Sequence, residues 1–358
     1  MENEMGFTKA RAKANCSEGP KSYLRISSPA SPRTRVMASV LLSALLLMCL
    51  TGRSHGASYN YTTLDYPGAF GTGATGIDGG TIVGGYWQDS SGGPIDPEVD
   101  HGFIYSGGIW TPLDYPGASG TVADGMDGSN IVGGWIDGSG DHGYLYNGSS
   151  WKSFDYPGAR GTWATGIHGD TIVGHYWNAG EPGGHGFLYD SGSWTTLDYP
   201  GATKTQPRGI DGENIVGQYF DGEGLSHGFL YDGTTWLAVD YPGAYMTRLD
   251  AIDGSIVGGG YQDTEGGSRH GFLYENGIWT LIDYPGATDT HLGDIDGNVI
   301  VGVYGEDLAS LFGDNDSTGA GLHGFVASPT SPVPIPSAVW LVGSGLVGLV
   351  GLRRKLHT

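Results

Sequence analysis

A chain of 358 residues could hold two average domains, yet its 67 glycines and 18 prolines recur at fixed intervals among aromatics, which describes one folded repetitive body and excludes a disordered low-complexity one. Eight of the 17 basic residues precede position 57 and three follow Leu352, so the segment between them sets six basic residues against 35 acidic ones. A body this acidic is repelled by nucleic acid and anionic lipid; it favours cations or neutral ligands, and nucleic acid is excluded as a partner.

The first 36 residues are polar and mixed in charge. They suit either a long leader or a start assigned too early, and Met37 is the preferred start. From Ala38 to Leu50 runs a mostly apolar stretch preceded by Arg33 and Arg35 and followed by Ser54, His55, Gly56 and Ala57. That is the layout of a secretory signal peptide occupying 37–56, too short to span a bilayer. Export machinery is therefore an expected partner. Both cysteines, Cys16 and Cys49, fall before the expected mature start, so the mature protein has no disulfide and depends on packing.

From 57 to 328 the sequence repeats. An Asp-Tyr-Pro-Gly-Ala block begins at Asp65, Asp114, Asp155, Asp198, Asp240 and Asp283. Four residues before each Asp stands an aromatic: Tyr61, Trp110, Trp151, Trp194, Trp236 and Trp279. A second block, apolar-x-Gly followed by apolar-Val-Gly, runs from Ile77, Met126, Ile167, Ile210, Ile252 and Ile295. A third, His-Gly-aromatic, starts at His101, His142, His185, His227, His270 and His323. Each unit of roughly 42 residues thus offers four short apolar runs separated by turn residues, and none shows a helical period.

Four strands in such a unit make a propeller blade. The body opens on a lone fourth strand beginning near Tyr61 and ends after a third strand beginning at His323, so the first strand is expected to complete the last blade and close a six-bladed ring. An open solenoid is the competing architecture and would need caps at both ends. The His-Gly-Phe-Leu-Tyr blocks resemble the extracellular HAF repeats, here with Gly at the middle position; that resemblance implies location more than activity.

After a linker and Val333-Pro334-Ile335-Pro336 (329–336) come sixteen apolar residues (337–352) and a basic tail (353–358) with Arg353 and Arg354. This describes a C-terminal transmembrane helix with its charges left in the cytoplasm. It also resembles the PEP-CTERM family of bacterial sorting signals, in the variant where Val-Pro-x-Pro replaces Pro-Glu-Pro. The resemblance implies an exosortase-type transpeptidase as a partner, and a destination at the bacterial cell surface or in the extracellular matrix.

Candidate functional residues divide into those that repeat and those that do not. One histidine per blade spreads imidazoles around a ring, whereas zinc needs three or four ligands about one atom, so the six histidines are expected to hydrogen-bond neighbouring turns or strands. The six Asp-Tyr-Pro-Gly-Ala aspartates are expected to cap backbone N–H groups of their own turns. The Asp at the second position of the second block is replaced by His168 in the third copy, which marks a turn.

Between second and third strands, blades one and six have longer connections. These hold Asp89, Asp96, Glu98 and Asp100 in one, and Glu306, Asp307, Asp314 and Asp316 in the other. Closure of the ring would set these loops side by side, and their oxygens suit Ca²⁺, the one cofactor weighed. Aromatics near strand ends, Trp87, Trp135, Tyr176 and Trp177, could stack on sugar rings. No Gly-x-Ser-x-Gly, His-Glu-x-x-His or phosphate loop appears, which argues against an enzyme. The expected role is a structural or adhesive matrix component, with a lectin-like glycan-binding propeller and a carbohydrate-active enzyme as alternatives.

Overall fold

The computed structural model describes residues 58–88, 100–181, 184–306 and 321–330, which fold as an all-β, six-bladed propeller. The leader, the signal-peptide run, the Val333–Pro336 motif, the apolar tail and its arginines lie outside the described residues. Among the described residues no helix is long and apolar enough to cross a membrane.

Blade one is a four-stranded antiparallel sheet of β2 (Gly71–Asp78), β3 (Thr81–Trp87), β4 (Asp100–Ser106) and β5 (Ile109–Leu113). The pattern recurs, so the first strands of blades two to six are β6 (Gly120–Asp127), β10 (Gly161–His168), β14 (Lys204–Asp211), β18 (Met246–Asp253) and β22 (Asp289–Asp296). The sixth blade continues through β23 (Val299–Gly305) and β24 (His323–Pro329), and its outer strand is the N-terminal β1 (Tyr59–Leu64). That pairing runs from Tyr59 opposite Pro329 to Leu64 opposite Gly324, so the ring closes as expected and leaves no unpaired edge between blades one and six.

The first strands touch one another around the axis and line a central channel. Tight packing there explains the Gly of the second block: a Cβ on Gly84 would lie 2.0 Å from the carbonyl of Gly73. Outside the channel each blade buries one ring from its third block, namely Phe103, Tyr144, Phe187, Phe229, Phe272 or Phe325. Tyr144 alone carries a hydroxyl, and that oxygen is buried without a hydrogen-bond partner. Tyr144→Phe should therefore raise stability by about 1 kcal/mol, read as a shifted midpoint in denaturant.

Blades are tied together by repeated polar contacts. In each crossover the Thr at the second position of the first strand accepts the N–H of the block's Tyr, as Thr72 does from Tyr66 at 2.9 Å. At the opposite face Asp78, Asp127, Asp211, Asp253 and Asp296 each accept the N–H of a glycine in the next blade's first turn: Gly128, Gly169, Gly254, Gly297 and Gly79. The turn position read from the sequence is thus also an inter-blade clasp. The series is interrupted at His168, whose Nδ1 lies 3.5 Å from Asp211.

The six histidines are structural, and their partners are the six block aspartates: His101 with Asp114, His142 with Asp155, His185 with Asp198, His227 with Asp240, His270 with Asp283 and His323 with Asp65. This corrects the expectation that those aspartates cap their own turns. The turn closes by backbone alone, Ala69 N–H to Tyr66 carbonyl at 3.1 Å, with Gly68 at φ 81°. The carboxylate instead reaches back to the histidine and, in three blades, to the next residue's N–H (Gly186, Gly228, Gly271). Each histidine also stacks on an aromatic that stacks on the block's Tyr, as His101, Tyr86 and Tyr66 do.

Candidate functional site

The six first strands differ in sequence at two positions, of which the fifth lines the channel in every blade and the third in four. The third residue is Gly73, Val122, Trp163, Gln206, Arg248 or His291, and the fifth is Thr75, Asp124, Thr165, Arg208, Asp250 or Gly293. Between them lies the buried apolar fourth residue, and before them the Thr common to all blades. The fifth residue is in every blade the extra residue of a β-bulge, as between Ala74 and Gly76 or Leu249 and Ala251. A bulge breaks the two-residue alternation and re-aims its side chain, here into a channel of about 310 Å³.

Charge gathers on the side made by blades four, five and six. Asp250 accepts Arg248 Nε–H on Oδ1 at 2.7 Å, and His291 Nε2 lies 2.7 Å from its Oδ2. All three are enclosed: Asp250 is 9% exposed, Arg248 8% and His291 3%. Burial by itself would raise the Asp250 pKa, but the positive charge of Arg248, with His291 and Arg208, overcomes it and holds the carboxyl well below the usual range. Burial lowers the pKa of His291 despite Asp250, and its Nε2 faces the carboxylate at hydrogen-bonding distance. The ion pair is therefore Arg248 with Asp250, and His291 completes its hydrogen bonding.

The second acid behaves in the opposite way. Asp124 accepts Trp163 Nε1–H at 2.7 Å, and burial raises its pKa to about 7 against the pull of Arg208 and Arg248. Both Asp124 and Arg208 keep some surface open to the channel while protein surrounds them on every side. Arg208 itself is lowered to about 10 by burial and by the like charge of Arg248. Its Nε is buried with no hydrogen-bond partner. Asp294, on blade six, accepts the N–H groups of Ile77 and Ile295 and is likewise raised to about 7 by burial.

Room for these groups comes from glycine. Trp163 lies across Gly134 of the preceding blade, where a Cβ would stand 2.4 Å from the ring, and His291 lies across Gly260 in the same way. Gly73, Gly85 and Gly293 also line the channel, where a Cβ on Gly73 would lie 3.6 Å from the Trp87 ring and one on Gly293 2.4 Å from the Ala74 carbonyl.

A buried acid with a raised pKa lowers stability as pH rises. The unfolded carboxyl ionises near 3.8 and the folded one near 7. Between those values the folded state holds more protons, so stability falls with increasing pH. Asp124→Asn keeps an acceptor for Trp163 and should remove a fall on the order of 2–4 kcal/mol between pH 4 and pH 8. The check is urea unfolding at both pH values for wild type and variant; parallel pH profiles would contradict the assignment.

Of the sequence-predicted loop residues, Asp89, Asp96, Glu98, Asp307, Asp314 and Asp316 lie outside the described residues. Asp100 opens β4 opposite Trp87, and Glu306 follows β23 and is exposed. Among the described residues no group of three or more His, Cys, Asp or Glu is placed to hold a metal ion. The strand-end aromatics are not free platforms. Tyr176 is buried between Tyr156 and His185, Trp135 is stacked between Tyr115 and His142, and Trp87 packs on Val303 and Leu322.

No protein-family model matches the chain, and no curated protein matches it. Solved structures similar to it share little sequence. The β-propeller domain of the trilobed protease from Pyrococcus furiosus is 12% identical, with a TM-score of 0.44 over 66% of this chain and 77% of that one. A lectin from Aleuria aurantia, in complex with Fucα1-6GlcNAc, is 13% identical, with a TM-score of 0.44 over 76% and 98%. The Hadza microbial sialidase Hz136 is 13% identical, with a TM-score of 0.44 over 78% and 67%. A protease domain, a lectin and a sialidase at this distance share a shape with the chain, and functional argument rests on the channel.

Proposed function

We propose that the protein is an exported, surface-sorted propeller that binds a small polar molecule in its central channel, which gives the matrix scaffold a lectin-like function. The observation that carries this reading is the confinement of sequence asymmetry: the tying contacts repeat from blade to blade, while the bulge-directed channel positions differ and bring charge into an enclosed space. A purely structural ring has no use for charges buried at its axis, because apolar replacements of buried ion pairs are often neutral or stabilising. The channel volume falls at the lower end for small-molecule sites, the size of a monosaccharide.

A hydrolytic reading draws on the divergence of Asp124 and Asp250, since two carboxyls pushed apart in pKa can serve as acid and base. Binding is the stronger reading because both Asp250 oxygens are already engaged by Arg248 and His291, which leaves no free nucleophile. Calorimetric titration of the full chain with neutral and acidic monosaccharides tests it. Saturable heat that disappears in Arg208→Gln supports a channel site; no heat from any sugar favours a structural display protein. Mass measurement of the mature protein from the cell surface tests export and removal of the tail.

A further inference from the structure

The channel also carries information on ligand charge, and this step rests on the reading of the channel as a binding site. We propose that the ligand bears a carboxylate, as a hexuronate does, and that this carboxylate docks on the guanidinium of Arg208.

The argument is an account of charges along the channel. Two arginines, Arg208 and Arg248, enter it from neighbouring first strands. Arg248 is matched by Asp250, whose oxygens are filled by Arg248 and His291. Asp124 is the other acid whose charge acts on Arg208. Asp124 spends Oδ2 on Trp163, and burial keeps it substantially protonated at neutral pH. Arg208 is thus an enclosed cation, and its Nε–H meets no acceptor.

Guanidinium presents N–H groups in a planar fork that matches a carboxylate with two parallel hydrogen bonds, so a carboxylate supplies both the charge and the acceptors this site lacks. Asp124 lines the same channel, which fits a ligand with further oxygens. The channel, about 310 Å³ in volume, has room for a sugar ring.

Because the body as a whole is acidic, its long-range field opposes the ligand, and moderate salt should speed association instead of slowing it.

The test compares D-glucuronate and D-galacturonate with D-glucose, D-galactose and the methyl esters of the two acids, by calorimetry on the full chain. The acids should bind about tenfold to a hundredfold more tightly than their esters. Arg208→Gln should abolish that preference. Arg208→Lys, which keeps the charge and loses the fork, should fall between. Bromide soaked into crystals supplies a second readout, with an anomalous peak expected within hydrogen-bonding distance of Arg208. Equal affinity for acid and ester overturns the carboxylate and leaves channel binding standing. Silence from every sugar, with no bromide in the channel, overturns both.

Discussion

Deleting β1, Tyr59–Leu64, will open the ring and cost on the order of 5 kcal/mol or more, enough to unfold a protein of ordinary stability. The strand supplies six register pairs to β24, and each net hydrogen bond is worth roughly 1 kcal/mol. It also buries Leu64 against Ile77 and Phe103 of blade one and packs Tyr61 on Tyr284 and Phe325. Burial of one such apolar side chain adds about 1.5–3 kcal/mol. Loss falls on blades one and six together, since Leu64 belongs to the seam between them. Equilibrium unfolding and limited proteolysis should show a much earlier transition, with cleavage starting in β24. A deletion variant that melts within about 2 °C of the wild type would mean that β1 is not what closes the ring.

Asp250→Ala is expected to cost about 3–5 kcal/mol, the range for removing one partner of a buried ion pair. Arg248 would be left enclosed without its carboxylate, beside Arg208, which already depresses its neighbours' proton affinity. His291 would lose the acceptor that fixes its ring over Gly260. For a body of this size the thermal midpoint should fall by roughly 10 °C. The paired replacement Arg248→Met with Asp250→Leu should recover most of the loss, because the charge that Asp250 balanced is removed with it. Recovery in the pair separates a charge effect from a simple cavity. A single-variant cost under about 1 kcal/mol would mean that water in the channel solvates Arg248 and that the group is not an enclosed ion pair.

Much of the fold was legible because a repeat reports its own boundaries. The Asp-Tyr-Pro-Gly-Ala blocks and the His-Gly-aromatic blocks both occur six times, and a lone fourth strand at one end with a missing one at the other fixes ring closure. The same repetition identified His101, Asp114 and their equivalents as scaffold. It did not say that they bond each other, because thirteen residues separate the two and only the pairing of third and fourth strands brings them together.

The site was sought where loop lengths differ, between Tyr86 and His101 and between Tyr304 and His323. A stronger signal stood inside the strands. Aligned on their common Thr, the six first strands differ at the third and fifth residues while Thr72 and its equivalents do not change. That comparison would have found Asp124, Arg208, Arg248, Asp250 and His291.

The sequence by itself determined the strand count, the six-fold repeat, the closure by the first strand and the scaffold role of what recurs, because turn chemistry and alternation are local and each copy states them again. Only the tertiary structure decided that the fifth residue of each first strand turns into a common channel, and that residues spread over more than 160 positions meet there. The physical reason is that bulge geometry and ring closure set which side chains share one enclosed volume. Burial within that volume then gives Asp124 and Asp250 opposite protonation behaviour, although both occupy the fifth position of their strands.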